Sequence, residues 1–319
     1  MRVVLLGPQR RPTLDGVVRS LGLSGPFAVV TAGWQEREPD DGELSALLGD
    51  SAGHHGAGHH GAGHHGAVNL GLYRRGVDVA ERDPVFAAGW DELRRTLAGL
   101  QEVYLLRLDY ALRAVYAVQR QAGSGSEAVE EAVAAVRALD EAHLRRVNGA
   151  RGEFYARLEP HARPVIAAHR DEVAAVLRDA RALVVAGGHV GVLADVLHLF
   201  NVAAALNGGS LVIAWSAGAM ALTDRIVLFH DRAPQGPGHP EVYGSGLSLL
   251  RDVVLLPHAR ARLLLDDTLR MAVFAQRFAP ARCVLLEAGT RLDLSADSSW
   301  PPGTRVLAED GHVTSLAAA

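Results

Sequence analysis

Ser216 stands at the end of the apolar run Leu211-Val212-Ile213-Ala214-Trp215 and is followed by Ala217-Gly218-Ala219-Met220. A hydroxyl placed between an apolar strand and a helix-compatible segment, with small residues beyond it, is how a chain exposes a serine nucleophile. The backbone bends sharply there, and the substrate must approach closely. The spacing is that of a G-x-S-x-G elbow in which the first glycine has become Ala214 and Gly218 is kept. The same string also describes a buried strand followed by a serine whose hydroxyl caps the next helix.

A serine attacks a carbonyl only with a base in reach and with donors for the developing oxyanion. Gly187-Gly188 follow the apolar run 182–186 and open a helical pattern, so their N–H groups and that of Ala217 are the expected oxyanion donors. After residue 240 the histidines are His258 and His312, and His258 directly follows the apolar run 253–256, which makes it the expected base. His230 and His239 fall in a Pro/Gly-rich connection. The acid that orients the imidazole has two candidates. Glu287 ends the apolar run 283–286, where a carboxylate is costly unless paired. Asp231 follows His230, and its alternative use is a solvated pair with Arg232.

Metal chemistry is suggested by a tandem repeat, Gly-His-His-Gly-Ala, over residues 53–67, which gathers His54, His55, His59, His60, His64 and His65. The repeat has no acidic or cysteine ligand, and a glycine-rich segment supplies no frame to hold imidazoles in a coordination geometry. It reads as an expanded surface loop. No metal site is assigned, and no cofactor is expected.

The elements that must position these groups form an α/β pattern. Apolar runs at 3–6 and 27–31 flank a helix-compatible stretch over 13–21, and the second run breaks into Ala32-Gly33-Trp34-Gln35-Glu36-Arg37-Glu38, polar at the strand end where open sheets bind ligands. From about 84 to 179 the period changes. Leu93, Leu97, Leu100, Tyr104, Leu108, Leu112 and Val115 recur every three or four residues, which predicts one long amphipathic helix. Gly123-Ser124-Gly125 breaks it, Val129 to Leu139 marks a second helix, and 165–177 a third after Pro160 and Pro164. Beyond it a strand at 182–186, a helix at 190–206 and a strand at 211–215 make a βαβ unit ending at Ser216. Runs at 226–229, 253–256, 283–286 and 305–307 are expected to extend the same sheet. The reading is a doubly wound, mainly parallel α/β domain formed by 1–83 and 180–319, with a helical insertion or cap at 84–179.

The chain has 319 residues, 49% hydrophobic and 21% charged, enough for one large or two ordinary domains. With 32 basic against 36 acidic residues its formal charge is −4, so no basic excess draws it to nucleic acid or acidic lipid. Cys283 is the only cysteine and lies inside an apolar run, so no intramolecular disulfide forms; it reads as a strand residue and fits a reducing compartment. The start of the chain is too short for a signal h-region, and no apolar run approaches the roughly 20 residues that span a bilayer. A cytoplasmic location is expected.

Val184-Val185-Ala186-Gly187-Gly188-His189 and Ile213-Ala214-Trp215-Ser216-Ala217-Gly218-Ala219 together resemble the peptidase S51 group, dipeptidase E and cyanophycinase, within the class I glutamine-amidotransferase-like fold. The Trp-Ser-Ala-Gly-Ala string is similar to that of dipeptidase E, which implies Ser216 as nucleophile. Pro257-His258-Ala259-Arg260-Ala261-Arg262-Leu263 and Leu285-Leu286-Glu287-Ala288-Gly289-Thr290 look more like cyanophycinase. That likeness implies His258 as base, Glu287 as acid and Arg260 in substrate binding, whereas dipeptidase E favours Asp231. The resemblance covers about 180–296 and, more loosely, the opening strands. His189 takes the position that reads substrate in cyanophycinase-like members, Leu256-Pro257 replace their Asp-Gln, and Ala259 replaces their aromatic residue. Substrate recognition is therefore not expected to copy either relative. Serine in place of the amidotransferase cysteine argues against glutaminase activity.

The expected function is a serine hydrolase acting on an amide bond in a small peptide or amino-acid conjugate. Nucleic acid and membrane are not expected partners, and the helical stripe leaves a homodimer open. Two rivals stand beside it. One is a catalytically inactive binding or regulatory protein on the same fold, and the other a metal-handling protein built on the histidine loop.

Overall fold

The computed structural model describes residues 1–9, 13–50, 66–122, 126–232, 238–295 and 299–317. The histidines of the tandem repeat and the Gly123-Ser124-Gly125 break lie outside the described residues. In chain order the elements are β1 (Arg2–Leu6), α1 (Leu14–Ser20), β2 (Phe27–Val30), a 3-10 turn (Ala32–Arg37), α2 (Gly42–Asp50), β3 (Ala67–Asn69), α3 (Leu72–Arg82), α4 (Pro84–Ala122) and α5 (Glu127–Leu158). After these come α6 (Pro164–Asp179), β4 (Ala182–Val185), α7 (Val190–Leu199), α8 (Val202–Ala205), β5 (Leu211–Trp215), α9 (Ala217–Met220), β6 (Ile226–Leu228) and β7 (Glu241–Gly244). The chain continues through β8 (Val253–Pro257), α10 (Ala259–Arg262), α11 (Thr268–Phe278), β9 (Arg282–Leu286), β10 (Arg291–Leu294), β11 (Arg305–Leu307) and β12 (Val313–Ser315).

These elements divide into two compact units. The first comprises Met1–Asp83, Pro160–Ala221 and Leu286–Pro301. Its sheet has the order β10-β1-β5-β4-β2-β3. Neighbours from β1 to β3 pair parallel, and β10 closes the β1 edge antiparallel. In β1, β2, β4 and β5 successive residues are buried whichever face they point to, the signature of a parallel sheet covered on both sides. One face packs Val4, Leu6, Val29, Val184 and Ile213 against Leu14, Val17 and Val18 of α1 and Leu44 and Leu48 of α2. The helix expected over 190–206 is split into α7 and α8 by Asn201, which adopts a left-handed φ of 53° that asparagine tolerates better than most residues.

The second unit comprises Pro84–Glu159, Leu222–Leu285 and Pro302–Ala319. The helical block expected over 84–179 therefore does not stand as a unit of its own: α4 and α5 share a unit with later strands, while α6 belongs with the parallel sheet. The expectation that the later strands extend that sheet is also corrected. They build a sheet of order β12-β11-β9-β8 and a separate β6-β7 pair. Apolar content marks a segment as a buried strand, but backbone pairing, which composition does not encode, selects its neighbour.

Helices α4 and α5 run antiparallel, since Phe86 and Trp90 near the start of α4 meet Phe154 near the end of α5 at ring separations of 5.3 and 5.5 Å. Further along, a buried polar network joins them to α11. Arg277 Nε and Nη2 each donate to the Asp140 carboxylate at 2.7 Å, Nη1 donates to the Pro240 carbonyl at 2.6 Å, and the Tyr104 hydroxyl donates to Asp140 Oδ1 at 2.8 Å. The Val242 N–H completes the set by donating to the Tyr104 oxygen at 3.0 Å.

Among the described residues, no helix is long and apolar enough to cross a membrane.

Candidate active site

The elbow is built by the end of β5. Ser216 adopts φ 51° and ψ −125°, between the strand and the first residue of α9. A side chain in this region costs on the order of 1–3 kcal/mol and persists only where the surroundings enforce it. The enforcement is visible. Leu6 and Trp215 are in register, so β1 and β5 end together, and the Met220 N–H donates to the Ser216 carbonyl at 3.1 Å. The Ser216 side chain does not cap α9, which removes the helix-cap alternative.

Small residues are required around it. A Cβ at Gly218 would run into the carbonyls of Val185 and Ala186 at the end of β4. A Cβ at Gly187 would lie 2.9 Å from Ser216 Cβ and 3.6 Å from its Oγ. Gly188 has φ 130°, and a Cβ there would strike the Gly33 carbonyl; a Cβ at Gly33 would in turn lie 3.0 Å from the Gly187 oxygen. The carboxyl ends of β5, β4 and β2 thus meet over a floor of glycine, with Ser216, Ala217, Gly187 and Gly188 brought together. Ala217 opens α9, a position whose N–H has no acceptor within the helix.

His189 follows the glycine pair. Its N–H donates to the Gly33 carbonyl at 2.8 Å, and its Nδ1 accepts from the Val192 N–H at 3.2 Å, so the imidazole caps α7. That local use of the ring differs from the substrate-reading role the resemblance implies.

Glu287 belongs to the same unit. Its N–H donates to Thr290 Oγ1 at 3.2 Å, its carbonyl accepts from the Thr290 N–H at 2.9 Å, and the Gly7 N–H donates to the Thr290 carbonyl at 2.8 Å. A Cβ at Gly7 would collide with the Glu287 carbonyl, so this backbone lies directly against the end of β1, the strand beside β5. Glu287 and Ser216 therefore sit at the same end of the parallel sheet.

Two residues of the polar run that follows β2 have a geometry beyond what their polarity at a strand end implies. Gln35 has φ 59° and ψ −123°, close to the conformation of Ser216, just past Gly33. Glutamine carries no local preference for that region, so the sequence held no sign of it. Glu38 is fully buried and its carboxylate accepts the N–H groups of Tyr73 at 3.0 Å and Arg74 at 2.9 Å, capping α3; burial pushes its pKa up against those bonds. An acid a few residues beyond an apolar strand is the signal that could have marked it.

His258, Arg260 and Asp231 are carried by the second unit. His258 follows β8 with a left-handed φ of 58°, is half-buried, and its carbonyl accepts from the Ala261 and Arg262 N–H groups at 2.9 and 3.0 Å. Arg260 is exposed on α10. The Asp231 side chain is fully buried: Oδ1 accepts from Arg270 Nη2 at 2.6 Å and Oδ2 from the Leu264 N–H at 3.2 Å. The solvated pair with Arg232 is corrected by this geometry, because the partner is Arg270 and the pair is enclosed. His239 pairs with Asp109 at 3.3 Å. Cys283 is buried in β9 and burial pushes its thiol up to about 12, which fits a strand residue and not a nucleophile. No cluster of metal-ligating side chains occurs among the described residues.

No protein-family model matches the chain, and no curated protein matches it. Among solved structures it is similar to the crystal structure of a peptidase from an acI-B1 actinobacterium, with 13% identity, 99% of this chain and 94% of that chain covered, and a TM-score of 0.45.

Proposed function

We propose that the chain is a serine hydrolase of the S51 type that cleaves an amide bond in a small peptide or amino-acid conjugate. The observation that carries this reading is the backbone of Ser216, a non-glycine residue at φ 51° and ψ −125° on a strand-to-helix turn, with Gly187 against its side chain. Strain of this kind at a hydroxyl without a capping role is explained by presentation of the hydroxyl to a substrate.

In this reading Ser216 Oγ attacks the scissile carbonyl while His258 takes its proton, and N–H groups of Gly188 and Ala217 hold the oxyanion. The imidazolium then returns the proton to the leaving amine, and water, deprotonated by the same ring, releases the acid and restores Ser216. Glu287 is favoured as the orienting acid, since both oxygens of Asp231 already hold the 264–270 segment. Arg260 serves substrate binding, and no cofactor enters the scheme.

The test is fluorophosphonate labelling together with a dipeptide and isopeptide screen of wild type and Ser216→Ala. Wild type should label and turn over, and the variant should do neither, with a rate loss of about 10³-fold or more. Equal rates in the two proteins would reject the assignment, and an unlabelled, inactive wild type would favour the binding-protein rival.

A further inference from the structure

Seven large apolar side chains stand exposed among the described residues, and five of them lie on α4. Single exposed apolar residues are ordinary on a protein surface, but a concentration on one helix is not. Val103, Leu106 and Tyr110 are 54%, 61% and 66% exposed and follow one another at three and four residues, so they form one line along the helix. This line is distinct from the stripe of Leu93, Tyr104, Leu108, Leu112 and Val115, which is buried and already spent within the chain.

Gly99 extends the line toward the start of α4. Glycine inside a helix is unfavourable, because it has more freedom to lose on folding than any other residue. One glycine of this helix has a reason within the chain, since a Cβ at Gly89 would lie 2.5 Å from the Leu158 side chain at the end of α5. A Cβ at Gly99 would meet nothing. Packing inside the chain therefore does not call for glycine at this position, whereas close approach of another backbone would.

The charges beside the line select what covers it. Glu102 flanks it on one side and Arg107 on the other; both are exposed, and neither forms an ion pair among the described residues. Their spacing is the reason: no charged residue stands three or four positions from either, whereas Arg113 reaches Asp109, four positions away, at 2.9 Å. In a parallel pair of helices the residue before one seam position lies against the residue five later on its neighbour. Glu102 then meets Arg107 of a second copy, and the two-fold axis repeats the pair. An antiparallel pair would instead set Glu102 beside Glu102 and Asp109 of the second copy, where the charges repel. A lipid surface is disfavoured, because α4 exposes acidic and basic residues together and lacks the basic excess of an interfacial helix.

We propose that α4 is a self-association surface on which two copies of this chain pair in parallel through Gly99, Val103, Leu106 and Tyr110, with Glu102 and Arg107 fixing the register. The inference is independent of the hydrolase reading and holds equally for Ser216→Ala.

Sedimentation velocity over a concentration range of about 100-fold tests it, since the seam is short and a weak, concentration-dependent dimer is expected. Leu106→Glu and Gly99→Leu should each raise the dissociation constant at least about tenfold. Leucine favours the helix over glycine, so the second variant guards against a folding defect in the first. Glu102→Arg and Arg107→Glu should each weaken the dimer about threefold or more, and the combined variant should restore it. Val103→Cys and Tyr110→Cys should each form a covalent dimer on mild oxidation, because only a parallel register brings both positions onto their own counterparts, and Cys283 is buried and does not compete. A monomer throughout the range, a dimer unaltered by folded Leu106→Glu and Gly99→Leu, or a combined charge variant no tighter than its parents would overturn the proposal.

Discussion

The Cα of Gly187 faces Ser216 so closely that a methyl group there would come within 2.9 Å of the serine Cβ. Gly187→Ala is therefore expected to push the elbow out of place, at an overpacking cost of about 1–3 kcal/mol. On the proposed function, kcat/KM should fall at least about tenfold. Steady-state kinetics and thermal unfolding of the variant check the two parts separately, and an unaltered melting curve would mean that the contact is relieved without strain.

Ser216 itself offers a test of stored strain. Ser216→Gly removes the Cβ that disfavours φ 51°, and after the extra freedom of glycine in the unfolded chain is subtracted, about 1 kcal/mol of stability should be gained. Ser216→Ala keeps the Cβ and should stay within about 0.5 kcal/mol of wild type. On the proposed function, both should be inactive. Denaturant midpoints that rank alanine at or above glycine would show that the turn is relaxed.

In the second unit, Asp140→Ala leaves the Arg277 guanidinium buried without its bidentate partner. Removing one member of such a pair costs about 3–5 kcal/mol, whereas replacing both with apolar residues of similar volume costs much less. Urea unfolding of Asp140→Ala, Arg277→Met and Asp140→Leu/Arg277→Met should show the double variant more stable than either single one.

Burial holds the imidazoles of His143 and His239 below the ordinary histidine range. The unfolded chain takes up these protons at a higher pH than the folded one, so stability is lost as pH falls from about 6.5 through the folded values. Glu38 and Glu241, raised by burial, act in the opposite sense from about 4.5 up to their own folded values. The difference between wild type and His143→Asn isolates the imidazole. Wild type should lose more stability than the variant between about pH 7.5 and 5.5. Parallel stability curves would show that His143 titrates normally. The variant also loses the stack of His143 on Tyr104 at 4.0 Å, which lowers the curve without changing its slope.

A deletion of the histidine repeat must keep Gly66, whose carbonyl accepts the Phe27 N–H at 3.1 Å, and Ala67, the first residue of β3. On the proposed function, deleting 53–65 should leave hydrolysis unchanged while lowering nickel or zinc retention. Loss of turnover on deletion would tie the loop to the catalyst.

Much of this was legible along the chain because helices and strands are written in local periodicity. The strand 211–215 and the strand 305–307 fall where their apolar runs begin and end, and the long helix through Leu93–Val115 follows its three-four repeat. The elbow was legible too, because only small residues tolerate its crowding. Pairing was not legible. Strand β10, whose residues alternate between charged and apolar, was missed, and it supplies the antiparallel edge beside β1.

By itself, then, the sequence determined where strands and helices lie and which serine ends a buried strand, since propensity and hydrophobic spacing act over a few neighbouring residues. Only the tertiary structure decided that β6 to β9, β11 and β12 pair outside the parallel sheet while β10 joins its edge, that Asp231 answers Arg270, that α6 joins the unit of the parallel sheet, and that Gln35 shares the backbone geometry of Ser216. These outcomes depend on contacts between residues far apart in the chain, where burial and hydrogen-bond satisfaction across the whole unit select one arrangement among many that local spacing allows.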